Sequence, residues 1–280
     1  MRIAFVGKGG AGKSTIVGTF SRLLARHGRE VVAVDSDAMP GLSYALGLPV
    51  VERPFPADCV VEKHEGESGP RYRLRPGLDA TTALEAYAMA AADGVRFFSF
   101  GKTRGDWGDI GRGQHAWSQV LAELPRGRFD LVGDLPGGTR QPMTGWGKYA
   151  DVIAIVVDPT ATSIGTARRL ATLRESRWDF HHVVAVANRV METGDAALVE
   201  ARTGLRVIGA LPFDDAVATA DRLGTTPLDA APDSAFVAAV STLVDRCVTE
   251  FDDPESSPEH RRANDRTRAT DRTRAEENVA

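Results

Sequence analysis

Arg2-Ile3-Ala4-Phe5-Val6-Gly7-Lys8-Gly9-Gly10-Ala11-Gly12-Lys13-Ser14-Thr15-Ile16-Val17-Gly18-Thr19-Phe20 runs from an apolar strand through a glycine-rich turn into a helix. That context gives the turn its meaning. Its glycines let the backbone curl until successive N–H groups point inward at anionic oxygens. The start of the helix adds a partial positive charge, and Lys13 has the reach for β- and γ-phosphates. Ser14 offers a hydroxyl to Mg²⁺. The expected phosphate cradle is therefore Gly9, Gly10, Ala11, Gly12, Lys13, Ser14 and Thr15. A plain glycine turn would account for the glycines but not for Lys13-Ser14-Thr15 behind a strand. Lys8 is surplus to an ordinary loop of this kind, and points to a second positive charge delivered to a nucleotide.

Around this loop the chain has 280 residues, enough for one large α/β domain, expected over residues 1–251. Hydrophobic residues make up 42% and charged residues 26%, values of ordinary soluble domains. A formal net charge of −4 leaves no overall electrostatic footprint for nucleic acid, so any such contact would need a local basic patch. No signal peptide fits ahead of the first strand, and no apolar run approaches the roughly 18 residues of a membrane span. A cytoplasmic location with no membrane partner is the expectation. Cys59 and Cys247 lie far apart with no Cys-x-x-Cys neighbour, which indicates neither a disulfide framework nor a cysteine metal site.

Strand-like and helix-like runs alternate along the chain, predicting a doubly wound, mostly parallel sheet covered on both faces. Strands are expected at 2–6, 31–35, 131–134, 152–158, 183–188 and 207–211, and helices at 15–27, 116–123, 163–176, 195–202 and 232–251. The last helix carries a stripe of Phe236, Val237, Val240, Leu243, Val244, Cys247, Val248 and Phe251 at helical spacing. Residues 62–71 read as a hairpin turn or loop, and 101–113 as a glycine-rich surface loop with an exposed Trp107. Residues 252–280 lack aromatics and echo Asp265-Arg266-Thr267-Arg268-Ala269 at 271–275. Such a tail buries too little surface to offset its ordering entropy and is expected to be disordered.

Three further segments fall where a nucleotide hydrolase needs them. Val31–Val34 ends in Asp35-Ser36-Asp37, and period-two geometry lets both carboxylates lean to one side of the strand end. Asp35 is placed to hold a metal-bound water and Asp37 to orient an attacking one; the alternative is two solvated acids closing a strand. Phe129-Asp130-Leu131-Val132-Gly133-Asp134 offers Asp134 as a carboxylate holding Mg²⁺ through water, with Asp130 a strand-start residue. Leu135-Pro136-Gly137-Gly138-Thr139 then reads as a switch that senses a γ-phosphate through the backbone at Gly138. Asn188 and Arg189 end a later strand at the same sheet edge, where open α/β proteins bind ligands. Asn188 suits the amino and N7 edge of adenine. A guanine site would want a carboxylate at position 191, occupied here by Met191. Leu211-Pro212-Phe213-Asp214-Asp215, following the last strand, is placed to supply backbone contacts to the base, Pro212 among them.

Lys8–Thr15, Asp35-x-Asp37 and the Asp134 switch together resemble the deviant-Walker ATPases, the group of MinD, ParA and the nitrogenase iron protein. The spacing of Asp35 through Leu48, with Asp158-Pro159-Thr160 and Asn188-Arg189-Val190, is most similar to the CooC accessory ATPases of carbon monoxide dehydrogenase. The resemblance implies a Mg²⁺-dependent ATP hydrolase that forms a homodimer when ATP is bound. In that dimer Lys8 of each subunit contacts the other's nucleotide, and hydrolysis drives an unknown protein partner such as a metalloenzyme under maturation. A partition or positioning ATPase of the ParA/MinD kind is the alternative; a small-molecule kinase leaves Lys8 without a role. Several positions depart from the pattern. Gly113-Gln114-His115-Ala116-Trp117 stands where CooC has a Cys-x-Cys pair, and His115 reads as a helix-start residue. Ala38, Gly41 and Gly137 replace a usual proline, asparagine and alanine. The iron protein's cluster cysteines and MinD's basic membrane helix have no counterpart, so no transition metal, electron transfer or membrane contact is expected.

Overall fold

The computed structural model describes residues 1–37, 41–49, 55–64, 66–68, 71–101, 107–175 and 180–252. β1 (Arg2–Gly7) leads through the glycine turn into α1 (Lys13–Arg26), and β2 (Glu30–Asp35) into the short α2 (Leu42–Ala45). An antiparallel ribbon, β3 (Val60–Glu62) and β4 (Tyr72–Leu74), precedes α3 (Ala80–Tyr87). β5 (Met89–Ala90) and β6 (Arg96–Ser99) come before α4 (Trp107–Glu123). β7 (Phe129–Asp134), α5 (Arg140–Met143), β8 (Val152–Val157) and α6 (Ala161–Ala171) follow. The chain continues with β9 (His182–Val190), α7 (Asp195–Thr203) and β10 (Val207–Pro212). It closes with α8 (Asp215–Arg222), α9 (Pro227–Ala230) and α10 (Ala235–Phe251).

The sheet has eight strands in the order β10-β9-β8-β1-β7-β2-β6-β5, all parallel except for β5 against β6. Alternation along β1 feeds two cores. Ile3 and Phe5 pack with Ile16, Phe20 and Leu24 of α1 and with Val240 and Val244 of α10. Ala4 and Val6 belong to the opposite core, with Trp117 and Leu121 of α4 and Ile164 and Leu170 of α6. Burial on both faces is why these strands read as continuous apolar runs. Chain order reverses on either side of β1, so the crevice beyond its carboxyl end is where such sheets take ligands.

The doubly wound, mostly parallel sheet is as expected, and several elements differ from the expectation. α4 begins at Trp107, not at residue 116, so 107–113 is helix rather than surface loop. Its glycines lower local helix propensity, and packing of Ala116, Trp117, Val120 and Leu121 overrides it. His115 consequently sits inside the helix, its ring 5.8 Å from that of Tyr72 in β4. β8 stops at Val157, leaving Asp158 just beyond the strand. α10 starts at Ala235, where the Ser234 side chain accepts from the Val237 N–H at 3.3 Å. β6 was not foreseen; its buried Phe97 and Phe98 are too few to show a period. The expectations for 102–106, for the Trp107 side chain, for Ala38 and for the tail from 253 onward lie outside the described residues. No helix among the described residues is long and apolar enough to cross a membrane.

Candidate active site

Gly10 (φ 79°) and Gly12 (φ 87°) take left-handed conformations that side chains resist, and so close the turn between β1 and α1. Ala11 N–H donates to Lys8 O at 3.2 Å, and Ile16 N–H to Gly12 O at 3.0 Å. Gly12 is required for a second reason. A Cβ there would come within 2.6 Å of Asn188 Nδ2, which donates to Ala11 O at 2.8 Å. Asn188 at the end of β9 thus braces the loop from the side. The buried Lys13 ammonium donates to Lys8 O at 3.3 Å, folding back over the turn where phosphates would lie.

The ends of β2 and β7 bring two carboxylates beneath the loop. Ser14 Oγ donates to Asp134 Oδ2 at 2.5 Å, while Asp134 Oδ1 is buried without a hydrogen-bond partner. Burial pushes the Asp134 carboxyl up to about 6, against the pull of the Ser14 hydroxyl and the Lys13 charge. Asp35 is fully buried, and its oxygens accept from the backbone N–H groups of Asp37 (2.8 Å) and Leu42 (3.2 Å). Burial first, and then the charge of Asp134, hold the Asp35 carboxyl well above the usual range. Burial therefore makes the charged form of both costly, a cost that a bound cation would offset. A hydroxyl, a buried carboxylate with one unmet oxygen and a second carboxylate behind it are hard oxygen donors that fit Mg²⁺. Asp37 is half-buried next to this group.

Two switch-like features differ from a simple open loop. Gly138 N–H donates to Gly7 O at 2.9 Å, so in this conformation it is joined to the phosphate loop and must let go before it can meet a phosphate. Gly137 lies so close that an added Cβ would sit 2.6 Å from Gly9 Cα, which explains glycine there in place of alanine. The segment after it is anchored by Trp146 and Tyr149, both packed on Trp117 of α4. The Tyr149 hydroxyl presses on β7 where only glycine fits, 1.7 Å from where a Cβ of Gly133 would be. Sequence reading found neither aromatic anchor, because their partners are distant in the chain.

A cavity of about 590 Å³ opens beside the loop, between Lys13, Ser14 and Thr15 on one side and Asn188, Arg189 and Pro212 on the other. Phe213, from the segment expected to meet a base through its backbone, lines it with its ring half exposed, and Met191 is 79% exposed. The bond to Ala11 O orients the Asn188 amide beside this cavity, and an Asn amide is in general the complement of adenine's amino group and N7. A purine with an acceptor in place of that amino group, and no carboxylate for its N1 and N2 donors, is mismatched. GTP is expected to bind more weakly than ATP by about 1–3 kcal/mol, roughly 5- to 150-fold. Calorimetric titration giving equal affinities would contradict this assignment.

Residues 3–228 match the CobQ/CobB/MinD/ParA nucleotide binding domain family. The chain belongs to that family. Among curated relatives, the carbon monoxide dehydrogenase accessory protein CooC of Rhodospirillum rubrum is 27% identical over 246 residues, covering 83% of this chain and 91% of that protein. The light-independent protochlorophyllide reductase iron-sulfur ATP-binding protein of Roseiflexus sp. is 27% identical over 235 residues, 81% of this chain and 82% of that one. Among solved structures, the septum site-determining protein MinD with Mg-ADP from Pyrococcus horikoshii superposes with a TM-score of 0.67 at 18% identity, covering 90% of this chain and 98% of that chain. MinD in the MinC:MinD complex of Aquifex aeolicus gives 0.63 at 20% identity, covering 89% and 96%. These structures support the P-loop fold with its mostly parallel sheet.

Proposed function

We propose that this chain is a Mg²⁺-dependent ATPase in which ATP controls dimerisation, serving the maturation or remodelling of a partner protein. The observation that carries the reading is the Ser14–Asp134 hydrogen bond, with its orphaned carboxylate oxygen, beneath a loop bearing both Lys8 and Lys13. In this account residues 1–251 form the ATPase domain. Gly9–Thr15 cradle the phosphates, and Lys13 holds the β- and γ-oxygens of its own nucleotide. Ser14 and Asp134 hold Mg²⁺ directly or through water, with Asp35 behind them. The metal, when bound, neutralises charge on the phosphates. Lys8 serves the nucleotide of the second copy. Asp37 orients the attacking water, and Gly138 leaves Gly7 to meet the γ-phosphate. Similarity to CooC favours a metalloenzyme as the partner. A partition or positioning role of the MinD/ParA kind would show itself instead through capture of a DNA-bound or septal cargo in a pull-down from the native host.

Asp37→Ala tests the chemistry. Water attack on a phosphoryl group is a matter of positioning and electrostatics, and a positioned base contributes about 10²-fold or more. The variant is expected to bind ATP as the wild type does, to lose turnover on that scale and to remain dimeric with ATP long after the wild type has relaxed to monomer in size-exclusion chromatography. Turnover at the wild-type rate would take water positioning away from Asp37.

A further inference from the structure

Asp158 has no part in the account so far, yet it stands beside the phosphate loop. β8 runs parallel to β1 with Val156 opposite Gly7, so the residue after β8 emerges next to the first turn of the loop. Its side chain is only 11% exposed, and Oδ1 is buried with no hydrogen-bond partner. Oδ2 is 3.6 Å from Arg189 Nη1, too long for a hydrogen bond. Arg189 is held at φ 56°, an uncommon conformation for a residue with a side chain. Burial raises the Asp158 carboxyl, and the charges of Arg189, Lys8 and Lys13 oppose it.

A carboxylate among cations at a phosphate site repels the phosphates themselves, so its partner there is a cation. Lys13 is committed to the loop through Lys8 O. Arg189 already leans on the other oxygen, Oδ2. Lys8 makes no ion pair among the described residues, and its flexible stem starts one residue beyond Gly7, the β1 position paired with Val156.

We propose that Asp158 is a positioning residue whose Oδ1, unpaired in this conformation, takes up the Lys8 ammonium of its own chain once the two side chains turn toward each other in the nucleotide-free monomer. When ATP brings two copies together, Lys8 leaves this seat for the partner's phosphates and Arg189 closes onto Asp158 in its place. The carboxylate thereby restrains dimerisation until a nucleotide is present across the interface. This consequence rests on the dimer reading above; the contact itself does not.

The contact is tested in the nucleotide-free protein by the rate at which an amine-acylating reagent modifies Lys8, read by peptide mass spectrometry against the exposed Lys148. Losing a half-screened ion pair is expected to speed Lys8 modification about three- to tenfold in Asp158→Asn, with Asp158→Glu returning toward the wild-type rate and Lys148 unchanged. Equal Lys8 rates in wild type and Asp158→Asn would overturn the proposal, whether or not the protein dimerises. The consequence is tested with ATP: Asp158→Asn is expected to reach half-dimerisation at about three- to tenfold lower protein concentration. A loss of ATP affinity in that variant would make Asp158 a nucleotide contact and would likewise overturn the proposal. A wild type that stays monomeric with ATP would remove the dimer reading and leave the modification result standing on its own.

Discussion

Lys13→Ala is expected to lower ATP affinity by about 100-fold or more. The Lys13 side chain is buried against the loop, and its ammonium donates to Lys8 O. Two charge-assisted hydrogen bonds to phosphate oxygens at about 1.5 kcal/mol or more each give roughly 3 kcal/mol, which is two orders of magnitude in affinity. The fold should tolerate the change, because α1 is held elsewhere. Arg22, buried on that helix, donates to both oxygens of Asp229 at 2.7 Å and to Asp93 at 2.6 Å, tying α1 to α9. Titration calorimetry with an unchanged melting temperature would support the assignment. An affinity within about threefold of wild type would mean that this turn does not hold the phosphates.

Asp134→Asn should move stability and binding in opposite directions. A carboxyl whose value rises from 3.8 to about 6 on folding is favoured in its neutral form by the native state. The sign follows: below about 4 the group is protonated in both states and costs nothing, the cost grows as pH rises toward 6, and at pH 7 it is fully present. It amounts to about 3 kcal/mol for a shift of this size. An amide keeps an acceptor for Ser14 Oγ and removes the buried charge, so the nucleotide-free variant is expected to melt roughly 5–10 °C higher than wild type at pH 7, with the gap closing toward pH 4. Its Mg²⁺-dependent ATP binding should be lost, because the charge that holds the cation is gone. Differential scanning calorimetry across this pH range checks the first half and titration with and without Mg²⁺ the second. A melting point below that of wild type at pH 7 would show that Asp134 stabilises the empty fold and would remove the trade-off between stability and function.

What the sequence shows of this site is decided by whether a function is carried by residues close in the chain. The β1–loop–α1 unit was legible because its strand, its positive-φ glycines and its lysines are contiguous. The acids at 35 and 134 were legible as strand ends, since burial on both faces makes β2 and β7 into apolar runs that stop at a carboxylate. Their relation was not. Ser14 and Asp134 meet across 120 positions, and Asn188 braces Ala11 across 177. Neither contact leaves a local signal, and the Asn188 contact makes a support of the loop out of a residue the sequence suggested only for a base. α4 was half hidden, because Gly108, Gly111 and Gly113 imitate a loop while its Trp117 is held by Phe98, Phe100 and Trp146 from elsewhere in the chain. Asp158 was read only as part of a resemblance, since nothing in Asp158-Pro159-Thr160 tells that one of its oxygens is sealed from water.

The central claim is that Lys8 acts on the nucleotide of a second copy. Light scattering coupled to size-exclusion chromatography, on wild type and Lys8→Ala with and without ATP·Mg²⁺, tests it most directly. The account predicts that the wild-type mass of 30.0 kDa doubles with ATP, while Lys8→Ala stays at the monomer mass although it still binds ATP. A Lys8→Ala protein that doubles its mass with ATP as the wild type does would contradict the account and leave an ordinary phosphate loop in its place.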